Sequence, residues 1–120
     1  MDVIFSYTSE EAEKDGILFN ITNLNPEWEK KGVFNYITTN LMTQGYFEPD
    51  GRVRIPNLLD LLNQANDIVK KGTNDFKDFE TDEYETFFAD DIVMPSGKRQ
   101  KIFIALNETG RFTIMLPEDY

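Results

Sequence analysis

Residues 101–116 read KIFIALNETGRFTIML, and the class of fold turns on this stretch. Ile102, Ile104 and Leu106 alternate with Phe103 and Ala105, the period-two pattern of an extended strand. Asn107-Glu108-Thr109-Gly110 supplies the glycine that a short hairpin loop needs, and Phe112, Ile114 and Leu116 complete a second strand. Both sides of the run from Ile102 to Leu106 are apolar, so this strand is expected either to be central and covered on both sides or to lie against helices on one side and a partner on the other. Working back, Pro95-Ser96-Gly97 marks a further turn, and Ile92 to Met94 is expected to form a third, shorter strand of a C-terminal β meander.

Upstream the period changes. Leu58, Leu61, Leu62, Ala65, Ile68 and Val69 form one apolar stripe at helical spacing, introduced by Pro56 and closed by Lys70-Lys71-Gly72. Val33, Phe34, Ile37 and Leu41 also repeat at helical spacing, and Gly45 follows as a cap, so a helix is predicted there. Before it, Asn25-Pro26 reads as a helix start with Asn as the cap, and Gly32 as its end. Trp28, the only tryptophan, is expected to pack over the edge of the core. Near the N-terminus Val3, Phe5 and Tyr7 read as a strand. Thr8-Ser9-Glu10-Glu11 has the form of a capping box that starts a two-turn helix at Ser9. Asp15-Gly16 ends it, and Ile17, Phe19 and Ile21 resume alternation. Strands at both ends with helices between them predict an α+β domain spanning residues 1–120: an antiparallel sheet, including the C-terminal meander, packed against two to four helices.

Composition narrows the chemistry. The 120 residues carry no Cys and no His, which excludes disulfides, thiolate nucleophiles, Cys/His zinc sites and imidazole acid–base catalysis. Ten Phe, five Tyr and one Trp provide enough apolar surface for a core. No apolar run reaches the roughly 20 residues that span a bilayer, and the first residues lack a signal-peptide pattern, so a cytoplasmic protein without a membrane partner is expected. The glycines fall singly at predicted element ends, and no phosphate-binding loop is present. No catalytic residue, metal ligand set or cofactor motif emerges, and a non-enzyme is expected.

The formal charge of −10 is unevenly spread. Between Asp75 and Asp91 stand Asp75, Asp78, Glu80, Asp82, Glu83, Glu85, Asp90 and Asp91 against the single Lys77, a net −7 in seventeen positions. The ordinary fate of such a run is a solvated face. Here Phe76, Phe79, Tyr84, Phe87 and Phe88 are interleaved with the carboxylates and are expected to pin them to the body. Asp78, Glu80, Asp82, Glu83, Glu85, Asp90 and Asp91 are therefore the candidate surface for a basic partner protein. Two other uses of the carboxylates compete with this one. Asp78, Glu80 and Asp82 alternate like the first ligands of a calcium loop, but Glu83 stands where the turn needs glycine and Ala89 where the closing glutamate belongs. Asp90 and Asp91 with Lys98 and Lys101 could serve a carboxylate-only, metal-dependent hydrolase or nuclease. A third reading makes the leucine stripe the seam of a self-associating structural domain. Direct nucleic-acid binding is disfavoured, because Lys98-Arg99-Gln100-Lys101 is the only basic cluster on a strongly negative body. That cluster is expected to decorate a strand edge.

The two ends of the chain resemble a family of small uncharacterised proteins found on bacterial plasmids, phages and other mobile elements. The matching residues are Val3-Ile4-Phe5-Ser6-Tyr7-Thr8, Ala12, Asp15-Gly16-Ile17-Leu18, Ile21-Thr22, and Phe112-Thr113-Ile114-Met115-Leu116-Pro117-Glu118-Asp119. They cover about a quarter of the chain, and the acidic segment lies outside them. The family has no established activity, so the resemblance implies accessory cargo of a mobile element. Together with the local charge it leads to the expectation of a non-enzymatic interaction protein that engages a basic host protein, for example one that binds nucleic acid.

Overall fold

The computed structural model describes residues 8–76 and 86–120. The expected strand at Val3, Phe5 and Tyr7 lies outside the described residues. The first helix, α1 (Ser9–Lys14), starts where the capping box placed it: Thr8 Oγ1 accepts from Glu11 N–H at 3.2 Å. β1 (Leu18–Asn20) follows, and a 3₁₀ turn (Ile21–Leu24) leads to α2 (Pro26–Lys31), whose cap Asn25 accepts from Glu27 N–H. Trp28 is half-buried and packs against the core, as expected.

β2 (Phe34–Thr38) corrects the sequence reading. The apolar residues at helical spacing straddle two elements, β2 and the short α3 (Thr39–Met42). All five residues of β2 are buried, so the alternation that betrays a strand is missing. The long helix α4 (Ile55–Phe76) has the predicted stripe, with Leu58, Leu61 and Ala65 fully buried. Each leucine withdrawn from water contributes about 2 kcal/mol. α4 does not stop at Gly72 but continues one turn further. Three strands complete the chain: β3 (Phe87–Val93), β4 (Arg99–Leu106) and β5 (Phe112–Met115). β3 is longer than the predicted Ile92 to Met94 and begins within the acidic run.

The class is α+β. The sheet has the order β1-β2-β5-β4-β3 and is mixed rather than wholly antiparallel, because β2 and β5 run parallel with Phe34 opposite Phe112 and Ile37 opposite Ile114. The other pairings, including the β3-β4-β5 meander, are antiparallel. One face of the sheet carries Ile37, Ile102, Ile104 and Ile114 against α4. The opposite face is flanked by α1, where Ala12 is buried, and by a cluster of three rings. Phe87, Phe103 and Tyr120 meet edge to face with centroids 5.0–5.7 Å apart. β4 is internal as predicted, but Phe103 and Ala105 on this second face are only half-buried. Gly45 has φ +108, and a Cβ there would lie 3.0 Å from the Pro95 ring, so glycine answers both backbone and packing demands. Among the described residues no helix is long and apolar enough to cross a membrane.

Candidate functional site

Of the sequence-predicted surface, Asp78, Glu80, Asp82, Glu83 and Glu85 lie outside the described residues. Asp90 and Asp91 are both exposed on β3, which is the end strand of the sheet among the described residues. Side chains alternate along a strand, and the burial of Phe88 and Ile92 assigns the even positions to the α4 face. Asp90 therefore projects toward α4 and Asp91 toward the other face. The two carboxylates do not converge, although they are adjacent in sequence. Asp90 Oδ1 accepts from the Asp91 backbone N–H at 2.8 Å. Asp91 forms an ion pair with Arg99 at 3.9 Å, long and largely exposed, of the kind that contributes little. Among the described residues no three acidic side chains are grouped so as to hold a metal ion.

The basic cluster is not at the sheet edge. Lys98 is in the turn, and Arg99 to Lys101 open the internal strand β4, with Lys101 opposite Asp91 and Arg99 opposite Val93. The edge role falls to the acidic strand instead.

That edge is partly closed by a residue the sequence reading missed. Gln64 of α4 reaches to Val93, where its Oε1 accepts from the backbone N–H at 2.8 Å and its Nε2 donates to the carbonyl at 3.0 Å. A side-chain amide presents an N–H donor beside a C=O acceptor much as a peptide unit does, with a second N–H to spare, so Gln64 stands in for a residue of a neighbouring strand. The Asp60 carboxylate holds the same Nε2 at 2.9 Å. Nothing in the local pattern of a polar helix position announces such a contact across 29 residues.

A second polar cluster lies on the face flanked by α1. Glu108, in the β4–β5 turn, accepts from the Ser9 hydroxyl at 2.9 Å and from the Ser9 backbone N–H. Desolvation pushes the Glu108 carboxyl up, but the hydrogen bonds from Ser9 outweigh it and hold the group below its ordinary value. Beside it Asn107 Nδ2 donates to Asn35 Oδ1 at 2.8 Å and to Thr113 Oγ1 at 3.0 Å, and Asn35 Nδ2 donates to Thr109 Oγ1 at 2.9 Å. Asp119 accepts from Thr38 at 2.7 Å and from Asn40 at 2.8 Å. A cavity of about 430 Å³ opens between these groups, lined by Ala12, Leu18, Met115 and the carboxylates of Glu108 and Asp119. Both carboxylates are engaged by protein donors, so the cluster acts as a fastening between α1, β2 and the last turns.

Comparison with protein families, with curated proteins and with solved structures returns no match.

Proposed function

We propose that this chain is a non-enzymatic accessory protein of a bacterial mobile element, acting in the cytoplasm, that engages a basic host protein through the acidic surface between residues 75 and 91. The observation that carries the reading is the net −7 of this segment, which runs into a sheet strand whose Asp90 and Asp91 are both exposed. Carboxylates on a strand are held in place, and fixed like charges repel one another until a cationic surface meets them. The partner class that fits is a protein with a basic groove, such as one that binds nucleic acid. The mobile-element association is supported by the terminal motifs around Val3 to Thr8 and Phe112 to Asp119.

The test is affinity for purified basic DNA-binding proteins in about 50 mM and about 300 mM salt, where the Debye length falls from roughly 14 Å to 6 Å. Binding is expected to weaken at the higher salt. It should drop at least about tenfold, or 1.4 kcal/mol, in a variant carrying Glu80→Gln, Asp82→Asn, Glu83→Gln and Glu85→Gln. Affinity unchanged in that variant refutes the assignment.

A further inference from the structure

The hydrogen-bond phase of β3 shows which of its backbone groups face outward. Leu106 N–H donates to Thr86 O, and Met94 N–H to Lys98 O, each at 2.8 Å, so the even-numbered residues bond to β4. In an antiparallel ladder the intervening residues, Phe87, Ala89, Asp91 and Val93, then direct N–H and C=O away from it. Gln64 closes Val93, and the Asp90 carboxylate closes the Asp91 N–H. Among the described residues this leaves a window: both main-chain groups of Phe87 and of Ala89, and the carbonyl of Asp91. Such a row is a template for an added strand.

The side chains beside the window differ on its two faces. Toward α4 a cleft of about 360 Å³ separates β3 from the helix, lined by Ile68, Lys71, Gly72, Phe88 and Asp90. Lys71 and Asp90 offset one another in charge and Ile68 is only half-buried, so this side favours an uncharged side chain with an apolar body. On the other face stand the Asp91 carboxylate and the Phe87 ring, which packs against Tyr120. The Phe87 ring suits a Lys or Arg, and the Asp91 carboxylate, two same-face positions further along the strand and shared with Arg99, suits a second one. Since an added strand presents successive side chains to opposite faces, its residues should alternate.

We infer that the outer edge of β3 binds, by strand addition, a short extended segment of a partner protein in which apolar and cationic residues alternate. The inference rests on the acidic-surface reading and supplies its mode of contact. A second copy is the poorer occupant: two chains of net charge −10 would bring their Asp90 and Asp91 side chains within a Debye length of about 8 Å.

The probe is the peptide Lys-Val-Lys-Val-Lys-Val, compared with a twin N-methylated on alternate backbone nitrogens, which cannot donate to the edge. The parent is expected to slow hydrogen exchange at the Phe87 and Ala89 amides at least about tenfold, and the twin to bind at least about tenfold more weakly. Ala89→Pro, which removes an outward N–H without touching a bond to β4, should abolish parent binding. If that variant does not fold, Asp91→Asn gives the second reading and should weaken binding. Equal binding of peptide and twin, with both amides unprotected, overturns strand addition while the acidic-surface reading stands. Loss of binding to every basic peptide and basic protein removes both. Protection of the two amides without peptide, growing with protein concentration, assigns the edge to a second copy and also overturns the inference.

Discussion

Tyr46 is 1% exposed, and its hydroxyl donates to the sulfur of Met94 at 3.6 Å, a soft acceptor that does little for a charged phenolate. Burial first, and the Asp60 carboxylate second, push the phenol from 10.0 up to about 12. The folded protein thus holds this proton more tightly than the unfolded chain does. Its contribution to stability is whole below pH 10 and is lost as pH rises from 10 toward about 12. Urea unfolding at pH 9 and pH 11 checks this: wild type should lose stability between the two, and Tyr46→Phe should lose less of it. At pH 7 the same substitution is expected to cost no more than about 1 kcal/mol, since it removes both the hydroxyl and its need for a partner. Equal losses in the two proteins between pH 9 and 11 would contradict the assignment.

At the scale of elements, the pairing of Gln64 with Val93 makes α4 a clasp on the end strand. Gln64→Ala should speed amide exchange at Val93 about tenfold and lower stability by about 1 kcal/mol, measured by hydrogen exchange and denaturant unfolding. Unchanged exchange at Val93 would show the clasp to be dispensable. The elements themselves were unevenly legible. Caps at Thr8 and Asn25, the leucine stripe of α4 and the turns at Gly97 and Gly110 were readable because each depends on neighbours within a few residues. β2 was not readable as a strand, since a strand buried on both faces shows no period, and Leu41 of α3 lent it a false helical spacing. Its Phe, Tyr, Ile and Thr content was the cue that composition did offer. The parallel register of β2 with β5, whose paired residues such as Ile37 and Ile114 are 77 positions apart, depends on contacts that no local pattern records. The same holds for the candidate site: the charge run and Asp90 with Asp91 are plain in the sequence, whereas the opposite aim of those two carboxylates and the hydrogen bonds from Gln64 depend on the strand and on α4 crossing it.

For the whole molecule, a net charge of −10 on a 14.0 kDa chain makes compaction itself an electrostatic cost. Raising salt from about 10 mM to about 150 mM shortens the Debye length from 30 Å to 8 Å and should raise the melting temperature by several degrees. Among the described residues the ion pairs that salt would weaken, Lys14–Glu10, Arg52–Asp50, Arg54–Glu48 and Arg99–Asp91, are all substantially exposed and contribute little. A melting temperature that falls with salt would place more weight on those pairs than their geometry allows. The strand order also has a temporal meaning. Among the described strands β5 lies in the middle of the sheet yet comes last along the chain, between partners made earlier. While the ribosome is still working, β2 has a neighbour on one side only, and the meander has no way to join it. The sheet is closed from its centre by residues 112–115, so the native core cannot form on the ribosome until that segment has been translated and has emerged.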